Sequence, residues 1–289
     1  MLRFFPAALA ACFCLLAAPV SKAAPLFARD GEVLAPPLLI PVVVFGERGR
    51  LTAGEFARQN GLDAGDLTRR HAASGVIHCG NARGAGQLTL ASNIVTTAAH
   101  VFFNESGALR GDSRHCTFTA TTAGAISVTA IDTSSIVAGS ADPYRAPPVR
   151  DWAVARLMRP IAGAAPYSIG AAPRAGGAIE FAARGHADWG EGGALSLQDC
   201  SLREMLAQGG DGPREFSFDC DAGLGASGGA LLDASGARLT AIFVGYRSLN
   251  PAAAAPFSPR HYNFAVSVEG AFRRAVETMA GAGSTASAR

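Results

Sequence analysis

From Gly75 onward, short apolar runs separated by turn residues follow one another closely, a spacing that suits β-strands better than helices. The runs predict strands over residues 75–79, 86–90, 94–97, 116–120 and 126–131. A loop with three prolines at 138–149 follows, and Asp151 opens the next strand. Pro160 begins a link to a second set of runs at 178–183, 194–197, 215–220, 229–232, 238–245 and 261–268. Asp233-Ala234-Ser235-Gly236 supplies the turn of a hairpin between two of them. The period then changes: Phe272, Val276 and Met279 share one helical face, which predicts a short C-terminal helix over 270–279. Residues 281–289 are small and polar, and are expected to be a disordered tail. Two groups of strands split near residue 160 predict an all-β chain of two antiparallel barrels.

The first seventy residues do not share this pattern. Residues 38–45 form a β-branched apolar run that predicts a strand. Thr52 and Glu55 have the spacing of a helix-capping box, followed by Phe56, Leu62 and Leu67 on a helical face broken at Gly61. Before them, Arg3, an apolar stretch over 4–20 and the small residues of Ser21-Lys22-Ala23 make an export signal over residues 1–23. Residues 24–72 are then either a propeptide or a permanent arm.

Composition narrows the chemistry. Lys+Arg number 25 and Asp+Glu 23, and a leader carrying Arg3 and Lys22 removes two of the basic residues. The mature chain is close to neutral, so no nucleic-acid footprint is expected. Lys22 is the chain's single lysine. This excludes a Ser–Lys dyad, a Schiff base and a phosphate-binding P-loop from the mature chain. Cys12 and Cys14 leave with the signal, and Cys79, Cys116, Cys200 and Cys220 remain. An even number in an exported chain implies disulfides, with three connectivities open. The pairing Cys79–Cys116 and Cys200–Cys220, one bridge in each half, is the expected one. Its rival is a zinc site built on His78-Cys79 and His115-Cys116, which the C-x-x-C spacing of zinc sites does not support.

The chemistry centres on Gly225-Ala226-Ser227-Gly228-Gly229. Gly225 can take positive φ and aim successive backbone N–H groups at one point, where negative charge would build on an attacked carbonyl oxygen. Ser227 needs a base, and the base needs an orienting group. Both candidates lie upstream: His100 in Thr97-Ala98-Ala99-His100 and Asp151 ahead of an apolar strand. With these three motifs in the order His, Asp, Ser, the chain resembles the trypsin-like serine peptidases over residues 73–275. Cys220-Asp221, seven and six residues before Ser227, is similar to a pair found in the bacterial branch that includes the glutamyl endopeptidases. Residues 45–50 are similar to the segment near the mature start of those enzymes.

The resemblance implies two six-stranded chymotrypsin-like barrels and a secreted or periplasmic bacterial endopeptidase. It implies His100, Asp151 and Ser227 as triad, and the N–H groups of Gly225 and Ser227 as oxyanion hole. Asp221, Phe243 and Gly245 would form the substrate pocket. At the base of that pocket Asp221 would select Arg or Lys, unless it serves only to bind backbone N–H groups. Phe243 stands where glutamyl endopeptidases place a histidine, and Arg247 lies close enough in sequence to neutralise a substrate acid or Asp221. A peptide or protein substrate is expected for a monomeric chain, with no cofactor, metal, nucleic acid or membrane span.

Two other readings remain. Gly225-x-Ser227-x-Gly229 also fits an esterase elbow, with Asp233 and His261 following in that order, although an elbow needs a strand before the serine and a helix after it. A silent binding module on the same fold is the other. In the zymogens of the resembled family an aspartate just before the serine pairs with a newly freed α-ammonium, whereas here that residue is Ala226. The oxyanion loop is therefore expected to be ordered by a Cys200–Cys220 bridge, activity to need no specific free N-terminus, and residues 24–74 to be open to trimming at Arg69-Arg70 or anywhere nearby without an on–off switch.

Overall fold

The structure, a computed structural model, describes residues 42–46, 49–122, 124–189, 193–251 and 253–286. The expected export signal and the first half of the predicted strand at 38–45 lie outside them. Strands β1 (Val42–Val43) and β2 (Leu51–Thr52) and helices α1 (Ala53–Asn60) and α2 (Ala64–Arg70) come first. The capping box forms: Thr52 Oγ1 accepts from Glu55 N at 3.3 Å, and Glu55 Oε2 accepts from Thr52 N at 2.8 Å. Gly61 ends α1 at φ +65°, a left-handed conformation that suits glycine. Phe56 and Leu67 are buried in the main core, while Leu62 is exposed.

Strands β3 (Ser74–Cys79), β4 (Ala82–Leu88), β5 (Ile94–Thr97), β6 (Cys116–Thr122), β7 (Ala125–Ala138) and β8 (Ala153–Leu157) close into one barrel, in the order β3-β4-β5-β8-β7-β6. Strand β6 shows why: Cys116, Phe118, Ala120 and Thr122 are buried and the residues between them are not. The later strands are β9 (Ser168–Ile169), β10 (Ala178–Ala183), β11 (Ser196–Gln208), β12 (Arg214–Phe218), β13 (Ala222–Gly223), β14 (Ala230–Asp233), β15 (Arg238–Ser248) and β16 (His261–Ser267). Six of them run β10-β14-β15-β16-β12-β11, and β11 pairs back with β10 to close the second barrel. Phe181, Phe218 and Phe243 meet edge to face inside it, with ring centroids 5.6 to 5.8 Å apart. Helix α3 (Gly270–Ala286) lays Phe272, Val276 and Met279 against the core.

Several boundaries differ from the sequence expectation. Strand β4 begins at Ala82, because Gly84 and Gly86 admit Val101 and Ile77 side chains close to the backbone. It ends at Leu88, and Leu90, at φ +60°, cannot continue a strand. Strands β7 and β11 run on to Ala138 and Gln208, through irregular register and half-exposed polar residues that hide the alternation. Helix α3 continues to Ala286, so residues 281–286 are helical where a tail was expected; Ala280, Ala282 and Ala286 are strong helix formers with no proline among them.

The sulfurs of Cys79 and Cys116 lie 1.95 Å apart across β3 and β6, and those of Cys200 and Cys220 lie 2.08 Å apart. Among the described residues no helix is long and apolar enough to cross a membrane.

Candidate active site

Strand β5 runs into a single 3₁₀ turn, Ala99–Val101, and that turn presents His100. A second 3₁₀ turn, Pro148–Arg150, ends at Asp151, whose N–H donates to Pro148 O at 2.9 Å. The next residue, Trp152, stacks on Phe272 of α3 with centroids 4.8 Å apart, which fixes the start of β8. These anchors bring the two side chains together. His100 Nδ1 lies 2.6 Å from Asp151 Oδ2, and His100 N donates to Asp151 Oδ1 at 2.9 Å. Both carboxylate oxygens are thus engaged, one by the ring and one by the main chain of the same residue. Since an ionised carboxylate only accepts, Nδ1 carries a hydrogen, and in the neutral ring Nε2 is the nitrogen without one.

Burial works against the His100 imidazolium. The Asp151 carboxylate favours it by charge and by hydrogen bond, Arg110 opposes it, and the sum raises the His100 pKa above its usual value. Arg110 Nε donates to His100 O at 3.1 Å and Arg110 Nη2 to Tyr144 Oη at 2.8 Å, with the Tyr144 ring set edge-on to His100 at 6.2 Å. Tyr144 comes from the proline-bearing loop, where nothing in the pattern singled it out.

Ser227 comes from the other barrel and shares a cleft of 330 Å³ with His100. Its loop is held at each step: Ser227 O accepts from Ala85 N of β4 at 2.7 Å, and Gly228 N donates to Phe243 O at 2.7 Å. Ala226 N donates to Gly223 O at 3.0 Å. Gly225 and Gly228 sit at φ +88° and +87°, and a Cβ on either would strike backbone, Gly185 O in one case and Ala85 O in the other. Among the described residues no backbone carbonyl accepts the N–H of Gly225 or of Ser227. These are the donors the sequence pointed to for an oxyanion.

A cavity of 490 Å³ continues from His100 and Ser227 past Phe243, Gly245, Tyr246 and Phe264. Asp221 is not among its walls. It is 1% exposed, and its carboxylate accepts from Phe45 N at 2.8 Å and Gly49 N at 2.5 Å. The expectation that Asp221 lines the pocket base gives way to its other reading, a carboxylate bound by backbone N–H groups. Arg247 reaches neither Asp221 nor the cavity: it pairs with Glu215 at 3.3 Å and lies over the Phe264 ring. Phe243 and Gly245 do line the cavity.

The esterase arrangement is not assembled. His261 Nδ1 contacts Ser248 Oγ at 2.9 Å and its Nε2 donates to Val44 O at 3.2 Å, while Asp233 pairs with Arg238. A strand, β14, follows Ser227 in place of a helix. Cys79 and Cys116 bond each other, which leaves no thiolate for zinc at His78 and His115. Among the described residues no group of three His, Cys, Asp or Glu side chains is placed to hold a metal.

Sequence reasoning gave no role to Arg50, which it met only within the segment 45–50, and passed over His186 and Asp188. Arg50 Nη1 donates to His186 Nδ1 at 2.8 Å, and Arg50 Nη2 to Asp188 Oδ2 at 2.6 Å. No short motif marks these residues, because the partners lie more than 130 positions apart.

Residues 73–242 match the family model of the trypsin-like peptidase domain. No curated protein matches the chain in sequence. Among solved structures, the chain is similar to a Glu endopeptidase in complex with MPD, with a TM-score of 0.63 at 15% identity over 83% of this chain and 100% of that one. It is also similar to neuropsin, a serine protease of mouse brain, with a TM-score of 0.49 at 12% identity over 71% of this chain and 92% of that one. At 15% identity the likeness to the Glu endopeptidase speaks for the fold alone. The family match, extending over most of both barrels, shows that the chain belongs to the trypsin-like peptidase domain family.

Proposed function

We propose that the chain is an exported serine endopeptidase. Ser227 Oγ attacks the carbonyl carbon of a peptide bond as His100 Nε2 takes its proton. Asp151 holds the imidazole and stabilises its cation. The N–H groups of Gly225 and Ser227 receive the developing oxyanion. The leaving amine takes the proton from His100, and an acyl-enzyme remains on Ser227. Water, deprotonated by the same histidine, then releases the acid. The observation that carries this reading is the 2.6 Å His100–Asp151 contact on a cleft that Ser227 enters from the opposite barrel. Two cysteine pairs at bonding distance support folding in an oxidising compartment, and hence export.

The cavity beside Ser227 favours an uncharged side chain before the cut bond. Its walls include Phe243, Val244 and Phe264; the one carboxylate that lines it, Asp151, has both oxygens taken by His100, and Asp221 is engaged elsewhere. A buried cation without a partner would be costly in such a place.

Profiling the purified protein and its Ser227→Ala variant against a peptide library tests both parts. The expected result is cleavage after apolar residues by the wild type alone. Cleavage confined to Arg or Lys would refute the pocket assignment, and equal cleavage by the variant would refute the nucleophile.

A further inference from the structure

The residue before the nucleophile, Ala226, cannot pair with a freed ammonium, so something else must hold the oxyanion loop. The segment ahead of the peptidase match reaches that loop by three routes. First, β1 pairs with β13, Val42 with Gly223 and Val43 with Ala222, just upstream of Gly225. Second, Asp221, at the root of the loop, accepts N–H groups from Phe45 and Gly49. Third, Arg50 is buried against the neighbouring 184–189 loop. Its guanidinium meets both oxygens of Asp188, at 3.1 and 2.6 Å, and His186 Nδ1 at 2.8 Å. A guanidinium can only donate, so His186 Nδ1 accepts and Nε2–H is free to donate to Ser196 Oγ at 2.8 Å. The 184–189 loop in turn touches the oxyanion loop, with Ala187 N donating to Leu224 O at 3.0 Å and Gly185 O packed against Gly225.

The segment is itself anchored. Val44 O accepts from Ala255 N at 3.1 Å and from His261 Nε2 at 3.2 Å, and the Phe45 ring lies 5.4 Å from the His261 ring. Downstream, β2 pairs with β11, and α2 ends at buried His71, whose Nδ1 lies 2.9 Å from Tyr167 Oη.

We infer that residues 42–46 and 49–52 are a permanent brace of the oxyanion loop, with Asp221 and Arg50 as its two positioning residues. The brace does by backbone pairing and the ion pair of buried Arg50 with Asp188 what a freed terminus does where an aspartate precedes the nucleophile. This revises the expectation that residues 24–74 can be trimmed at Arg69-Arg70 or nearby without effect: such a cut takes away the partner of β13. It also gives Asp221 a task other than substrate choice. The kinetic side of the inference rests on the proposed peptidase reading, and the structural side does not.

The test compares the full chain with Asp221→Asn and Arg50→Gln, and with Arg69→Gln as a control on the exposed face of α2. An asparagine in place of Asp221 turns one acceptor toward a donor, and Gln cannot span both Asp188 and His186. Backbone hydrogen exchange is read by mass spectrometry. Faster exchange is expected in 184–189 and 221–229 for both brace variants, with the first barrel unchanged and Arg69→Gln like the wild type. In the same samples kcat should fall at least about tenfold with KM nearly unchanged, because oxyanion donors act in the transition state. Arg50→Lys should recover part of both effects. Wild-type exchange in the two loops of both variants would overturn the brace. Exchange raised across the whole chain would equally overturn it, since the residues would then be general stabilisers. If the wild type hydrolyses nothing but the two loops loosen as described, the brace stands and the peptidase reading falls.

Discussion

Each member of the proposed triad is fixed by a particular neighbour, and changing one atom pair isolates its role. In Asp151→Asn the side-chain amide turns a donor toward His100 and favours the wrong imidazole tautomer. Turnover should fall by about 10⁴-fold with little change in KM, as the same change does in another enzyme with this triad. Steady-state kinetics on one peptide substrate reads this directly, and near-full activity would remove Asp151 from the triad. The raised pKa of His100 sets the pH dependence: the base works only when neutral, so activity rises with pH through a midpoint above the usual histidine value of about 6.5. A profile flat from pH 5 to 9 would contradict a histidine base. Gly225→Ala places a Cβ against Gly185 O and strains φ +88°, and should lower kcat by about 10²-fold through the displaced oxyanion donor. His100, Asp151 and Ser227 were legible in the sequence because each sits in a local run that announces its setting. Asp221 was legible in position and misjudged in partner, since Phe45 and Gly49 lie more than 170 residues away. Arg50 stood in the segment 45–50 likened to a mature start, but nothing local pointed to His186 and Asp188 as its partners.

Among the elements, the strand that delivers Asp151 depends on the C-terminal helix. Phe272 is fully buried and stacked on Trp152, so Phe272→Ala leaves a cavity beside the proposed orienting residue. A loss of about 3 to 5 kcal/mol is expected in denaturant unfolding. The helix was visible as Phe272, Val276 and Met279 at helical spacing, though not its length, because alanines carry no amphipathic mark. Strands β5, β6 and β10 were visible for the same kind of reason, one buried face against one polar face or a fully apolar run. Strands β7 and β11 were visible only at one end. Beyond Asp132 and Leu202 they bend through register shifts with both faces half open, and alternation stops being a guide.

For the molecule as a whole, two bridges serve the two barrels, Cys79–Cys116 joining β3 to β6 and Cys200–Cys220 joining β11 to the root of the nucleophile loop. Reduction of both is expected to cost several kcal/mol and to lower the unfolding temperature measured with and without a thiol reductant; an unchanged temperature would count against bridges in solution. The two-barrel plan was legible from strand spacing and a proline-marked link near residue 160. The arm was not, since short strands at 42–43 and 51–52 gain meaning only from partners in the second barrel. What unites these scales is the proposal that one serine, set on a glycine-shaped loop between the barrels, performs acyl transfer. Modification by a fluorophosphonate, mapped to the residue by mass spectrometry, tests that claim most directly. A single adduct on Ser227, formed much more slowly in His100→Ala and absent in Ser227→Ala, is the predicted result. An adduct on any other residue, or none on the folded wild-type protein, would contradict it.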